Sequence, residues 1–238
     1  MNLGLDDKVI IVTGGMNGAG EGIVRVLAGE GAIPVIISRD VANARKLQEE
    51  LERAGRTAFA VQAELSEPAA CETAVLAIVK KFGRIEGLVN HAGGNDGVCL
   101  ENGDFGLFIK SLHNNLVQYY LMTQFALMHL KKSSGAIVNI SSITARAGQG
   151  NTSAYAAAIG GQNGLTREWS VELLKYGMRV NSVIAAEHGR PEEIGNIAAF
   201  LLSEKSSHTT GQLIHMDGGY LYSHGAQRKT GAALAIDS

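Results

Sequence analysis

The chain has 238 residues, a formal net charge of −2 and an isoelectric point near 6.4, with 45% apolar and 18% charged residues. That balance excludes a strongly basic nucleic-acid binder, and no apolar run reaches the ~18 residues that would span a bilayer, so neither nucleic acid nor membrane is expected as a partner. Cys71 and Cys99 form no CxxC pair, the histidines form no HExxH and the N-terminus has no signal-peptide pattern; free thiols, no metal site and a cytoplasmic location are the expectations.

Short apolar runs alternate with longer helical patterns, which predicts an α/β fold: one domain with a doubly wound, mostly parallel, seven-stranded sheet. Residues 9–12 read as the first strand, ending at glycines, and residues 21–30 as a helix with Ile23, Val26 and Leu27 on one face. A strand at 35–37, a charged helix at 42–54 stopped by Gly55, and a strand at 58–61 follow. Residues 67–82 read as a helix with Pro68 in its first turn and Gly83 past its end. A strand at 88–90 leads into a glycine-rich loop, and residues 104–130 read as one or two helices. Then come a strand at 136–140, a long Ala/Gly-rich helix at 153–174, a strand at 178–184, a helix at 191–202 and a last strand at 213–216. The domain is expected to cover residues 1–221; the tail 222–238 is polar, rich in small residues and expected to be partly disordered.

Between the first strand and the first helix lies Thr13-Gly14-Gly15-Met16-Asn17-Gly18-Ala19-Gly20. A loop at this place aims backbone N–H groups and a helix N-terminus at one spot, which suits a pyrophosphate. Glycines let the backbone turn and approach the phosphate closely. No Gly-Lys-Ser/Thr follows, which argues against a P-loop nucleotidase.

Further elements come in order: Asn90-His91-Ala92-Gly93, Asn115-Leu116, Asn139-Ile140-Ser141-Ser142, Tyr155 thirteen residues beyond Ser142, and Asp217-Gly218-Gly219. With the spacing Thr-Gly-x-x-x-Gly-x-Gly, this series resembles the short-chain dehydrogenase/reductase family. Residues 91–97, 148–153 and Ala186-Glu187 resemble its branch that oxidises sugars such as L-fucose. The resemblance implies a Rossmann-like domain and hydride transfer between a nicotinamide cofactor and a secondary alcohol or ketone. It implies cofactor contacts from Gly14, Met16, Asn17, Gly18, Ala19, Gly20, Glu64, Leu65, Asn90, Ala92, Gly93, Tyr155 and Ile184. It implies Tyr155 as acid or base, Ser142 as the holder of the substrate oxygen, and Asn115 as the group that positions a relay water. Identical subunits in a tetramer or dimer are expected, with the small-residue stretch 153–164 allowing close helix packing.

At the end of strand two, an acid binds the 2′-hydroxyl of NAD, whereas an arginine accommodates the 2′-phosphate of NADP. Ser38 and Arg39 stand there, so NADP is expected and NAD is the alternative.

The series breaks twice. One turn after Tyr155 the family places a lysine that binds the nicotinamide ribose and lowers the tyrosine pKa; here that position is Ile159. The expectation is an impaired oxidoreductase, or a family member that binds NADP without chemistry. A Rossmann-like methyltransferase is a more distant alternative. After strand six the family has a substrate lid of some tens of residues; here residues 184–190 run almost directly into Pro191, so the lid looks missing near 187–191. Either the molecule lacks it or the sequence as read does, and an intact mass above 25.1 kDa would tell which.

Overall fold

Seven short runs rich in Val, Ile and Ala form the sheet. Strands covered by helices on both faces read as continuous apolar runs rather than alternating ones. In the computed structural model, which describes residues 2–16, 18–186 and 189–221, these are β1 (Val9–Thr13), β2 (Ile33–Ser38), β3 (Phe59–Gln62), β4 (Gly87–Asn90), β5 (Ala136–Ser142), β6 (Arg179–Ala185) and β7 (Leu213–Met216). Their order is β3-β2-β1-β4-β5-β6-β7 and every neighbouring pair is parallel. β1 and β4 are buried throughout, while the edge strands β3 and β7 are only half-buried.

The helices are α1 (Gly18–Gly29), α2 (Val41–Arg53), α3 (Pro68–Phe82), α4 (Phe105–Leu112), α5 (Gln118–Ser133), α6 (Ser153–Glu172) and α7 (Pro191–Leu202). One core holds Ile23 and Leu27 of α1, Leu47 of α2 and Ala198 of α7 against one sheet face. The other holds Ile78 of α3, Met122 of α5 and Trp169 of α6 against the opposite face. Strand order reverses between β1 and β4, and in such sheets ligands bind beyond the strand C-termini at that point.

Boundaries shift by a few residues from the sequence expectation in places, while residues 104–130 do form two helices, one of the arrangements expected there. α1 begins at Gly18, so the loop glycines form its first turn. Two further glycines permit close approach: a Cβ on Gly22 would lie 2.4 Å from the carbonyl carbon and oxygen of Pro191, and one on Gly195 2.8 Å from the oxygen of Gly22. α1 and α7 therefore cross backbone on backbone. The two helices of residues 104–130 are joined by a π-turn at His113–Val117. The sixth helix ends at Glu172 and is followed by a 3₁₀ turn, Leu174–Tyr176, with Gly177 at φ 68° closing it. Cys71 and Cys99 are free thiols. Among the described residues no helix is long and apolar enough to cross a membrane, and no three His, Cys, Asp or Glu side chains gather as a metal site.

Candidate active site

A cleft of about 440 Å³ opens at the C-terminal ends of the central strands. It brings together Gly18, Ala19, Ala92, Gly93, Asn115, Ser142, Tyr155 and Ile159 among the residues singled out from sequence. Gly14, Met16, Gly20, Ser38, Arg39, Glu64, Leu65, Asn90 and Ile184 stand off its wall. Asn17 and Glu187 lie outside the described residues, as does the tail 222–238.

The loop after β1 is tied to the loop after β4 through Thr13, whose Oγ1 accepts from the backbone N–H of His91 (2.9 Å) and Ala92 (3.1 Å). Two of its glycines serve packing. A Cβ on Gly14 would lie 2.9 Å from the Cα of Ala92, and one on Gly20 2.4 Å from the oxygen of Gly14 and 2.8 Å from Nδ1 of His91. They make room for the imidazole of His91. Burial pushes that imidazole below its ordinary value of 6.5, so it is neutral at pH 7. Gly18 differs: at φ 50° a Cβ there would meet nothing within 4 Å among the described residues. With Ala19 it presents open backbone at the start of α1 to the cleft, a cradle suited to an anionic diphosphate.

Outward from this cradle lie the ends of β2 and β3. Ser38 is buried; its hydroxyl donates to Sδ of Met16 (2.8 Å) and accepts from the N–H of Asp40 (3.1 Å). Asp40 caps α2, accepting from the backbone N–H of Asn43 (3.2 Å) and from its Nδ2 (2.6 Å). The Arg39 side chain is 77% exposed, with Nη1 3.7 Å from Oε2 of Glu64. Glu64 also accepts from Ser66 N and Oγ, and Leu65 is buried in the core.

At the other end, β5 delivers Ser142 and α6 delivers Tyr155. Ser142 Oγ lies 3.1 Å from Oγ1 of Thr144, which donates to Gln149 Oε1 (2.9 Å). Asn115 sits in the π-turn, four residues after Ser111, whose backbone carbonyl is one of the groups within its reach. Its Nδ2 donates to that carbonyl, Ser111 O (3.1 Å), and its Oδ1 accepts from the N–H of Gly94 (2.7 Å). The Asn115 side chain thus holds the β4 loop, and its backbone carbonyl accepts from Nε2 of Gln162 (2.6 Å). Asn90, fully buried, donates to Thr123 (3.2 Å) and Asn139 (3.0 Å), and Asn139 donates to Thr166 (2.9 Å). This ladder fixes β4, β5, α5 and α6 against one another. Ile184 is likewise fully buried.

Ile159 is 3% exposed and lines the cleft one turn beyond Tyr155. Four polar neighbours were given no role from sequence: His91, Tyr119, Ser141 and Gln162. Tyr119 donates to Ile140 O (3.0 Å); burial drives its phenol well above the usual range, the nearby Tyr155 adds to this, and the amide of Gln162 opposes it. Tyr119 falls four residues after Asn115 and Gln162 seven after Tyr155, so helical spacing from the expected site residues was the available signal. On the side where a lid was expected, Ala186, Gly189 and Pro191 form the wall, and α7 begins at the cleft itself.

Residues 8–187 match the family model described as short chain dehydrogenase, and residues 184–221 match one described as enoyl-(acyl carrier protein) reductase. The L-fucose dehydrogenase of Rattus norvegicus is 30% identical over an alignment of 262 residues that covers 97% of this chain and 94% of that protein. The solved structure of Cj0485 dehydrogenase matches with a TM-score of 0.88 at 37% identity, over 97% of this chain and 100% of that one. That of an NADH-dependent reductase, A1-R′, complexed with NAD, matches with a TM-score of 0.87 at 30% identity, over 92% and 98%. With the glycine loop, Ser142 and Tyr155 on one cleft of an all-parallel seven-stranded sheet, these likenesses make the chain a member of the short-chain dehydrogenase/reductase family of oxidoreductases.

Proposed function

We propose that the chain binds a nicotinamide dinucleotide along the C-terminal edge of its sheet, preferring the 2′-phosphorylated form. Its reaction is the interconversion of a secondary alcohol and a ketone on a sugar or small polyol, and Ile159 holds the rate down at neutral pH. The observation that carries the reading is the single cleft shared by the open Gly18–Ala19 backbone, Ser142 and Tyr155. The diphosphate fits the cradle at the start of α1. The acid nearest the end of β2, Asp40, is engaged as a helix cap, while the largely exposed Arg39 offers a fork for a phosphate.

The cofactor, when bound, supplies or accepts the hydride. The protein's own part is to hold the substrate oxygen at the Ser142 hydroxyl and to move a proton at the Tyr155 hydroxyl. Asn115 acts by fixing the β4 loop beneath them. Among the described residues the substrate side is open. In the alignment with the rat protein, 97% of 238 residues is about 231, so about 31 of the 262 positions have no counterpart in this chain. That number suits a lid of some tens of residues, and an uncovered site stays wet and positions substrate poorly. Exposed apolar side chains on α4 and α5, including Phe105, Leu107, Tyr120 and Met128, support self-association into dimers or tetramers.

The test is turnover of L-fucose and a panel of secondary alcohols with NADP and NAD by the chain and by Ile159→Lys. Oxidation by the lysine variant supports the reading. Ile159 also favours a second reading, a family member that binds the cofactor without chemistry; saturable binding with no turnover in either form would establish that one.

A further inference from the structure

Gln162 is a buried amide in the wrong place for a simple core residue. It is 1% exposed, yet it lies on the floor of the cleft. Its Nε2 donates to the carbonyl of Asn115 at 2.6 Å and the amide also meets the Tyr119 phenol, while Oε1, equally buried, has no partner among the described residues. A buried acceptor without a donor is unfavourable, and in a native structure it needs an explanation. Side chains on a helix lean toward its N-terminus, so a residue covers the surface of the preceding turn. For Gln162 that turn carries Ile159, three residues earlier on the same cleft-lining stripe as Tyr155. The amide therefore lies beside Ile159 in the cleft lining, where the apolar side chain offers no hydrogen bond. Fixing Nε2 on Asn115 also fixes the direction of Oε1, because the amide is planar.

We infer that Gln162 is a ligand-binding residue that replaces the ribose-holding half of the missing cation: its Oε1 accepts a hydrogen bond, directly or through one water, from a hydroxyl of the ribose next to the nicotinamide. This rests on the dinucleotide reading above. A neutral amide can hold a hydroxyl, but it supplies no positive charge to Tyr155. The chain would thus keep selective grip on the second ribose while remaining poor at proton transfer.

ADP and ADP-ribose differ by that second ribose, so they isolate the contact without any turnover. Their dissociation constants are measured by calorimetry for the chain, for Gln162→Met and for Gln162→Asn, which keeps an amide but withdraws it by one methylene. The unaltered chain should prefer ADP-ribose. Both variants should lose that preference by about 3- to 10-fold, the effect of one hydrogen bond, with ADP affinity changed less than about 2-fold. A folded variant of either kind suffices, and melting curves identify it. Equal losses for both ligands, or an unchanged preference, overturn the inference and leave Gln162 a packing residue. Absence of binding of ADP-ribose, ADP, NADPH and NADH to the unaltered chain overturns the dinucleotide reading itself, a different and separable result.

Discussion

Replacing Ile159 by lysine puts a cation one helical turn from Tyr155, on the same wall of the cleft. A unit charge ~4 Å from a phenolate, at an effective dielectric of ~20, is worth about 4 kcal/mol, or about three pKa units. The lysine therefore moves the phenol's ionisation down toward neutral pH. In the oxidising direction the phenolate is the base. The rate is flat above this pKa and falls about tenfold per pH unit below it. At pH 7 the lysine form should then outrun the chain with isoleucine by up to about a thousandfold, the two converging at alkaline pH. The assay is initial rate against pH from 6 to 10.5, with L-fucose as substrate and cofactor saturating, read as NADPH absorbance. Ile159 is only 3% exposed, so the new ammonium must reach the cleft along its apolar stem. A melting curve on the same sample checks that the fold survives. Turnover at pH 7 by the unaltered chain within twofold of the lysine form would refute the reasoning.

Gly22→Ala should push α7 off α1, because the new Cβ would sit 2.4 Å from the Pro191 backbone. The cost of such overpacking is about 1–3 kcal/mol, a melting temperature lower by about 3–10 °C. Gly29→Ala on the same helix meets nothing within 4 Å among the described residues and should leave stability unchanged or raised; equal effects of the two would contradict this packing. His91, whose folded pKa is depressed below 6.5, binds a proton more readily in the unfolded chain. Its contribution is therefore present above that pH and is lost as pH falls below it. His91→Asn should flatten the loss of denaturant stability between pH 7.5 and 5, and an unchanged slope would contradict a neutral, buried ring. Arg39→Ala should weaken NADPH relative to NADH by about 3- to 10-fold, a modest factor because the side chain is 77% exposed; an unmoved ratio in paired titrations would count against a phosphate at Arg39.

Much of the fold was legible because strands and helices differ in length and period. The runs at 9–12, 35–37, 88–90 and 136–140 all fall within sheet strands. Ser142 and Tyr155 were legible through spacing and do share the cleft. Gly14 and Gly20 read as phosphate glycines, but what demands them is the His91 ring, a neighbour from a distant loop. The π-turn that holds Asn115 adds one residue to a helical turn and leaves no mark on apolar periodicity. Gln162 stood in the sequence seven residues after Tyr155, but its burial and its grip on Asn115 arise only when α6 meets the π-turn. Asp40, two residues past Ser38, caps α2 through its carboxylate.

On the proposed reading the cleft at the start of α1 holds a nicotinamide dinucleotide. Titration of the unaltered chain with NADPH and NADH, followed by cofactor fluorescence, tests it without relying on catalysis. The account predicts saturable binding of both, with NADPH the tighter. Binding of neither, by a chain whose melting curve shows it folded, would contradict it.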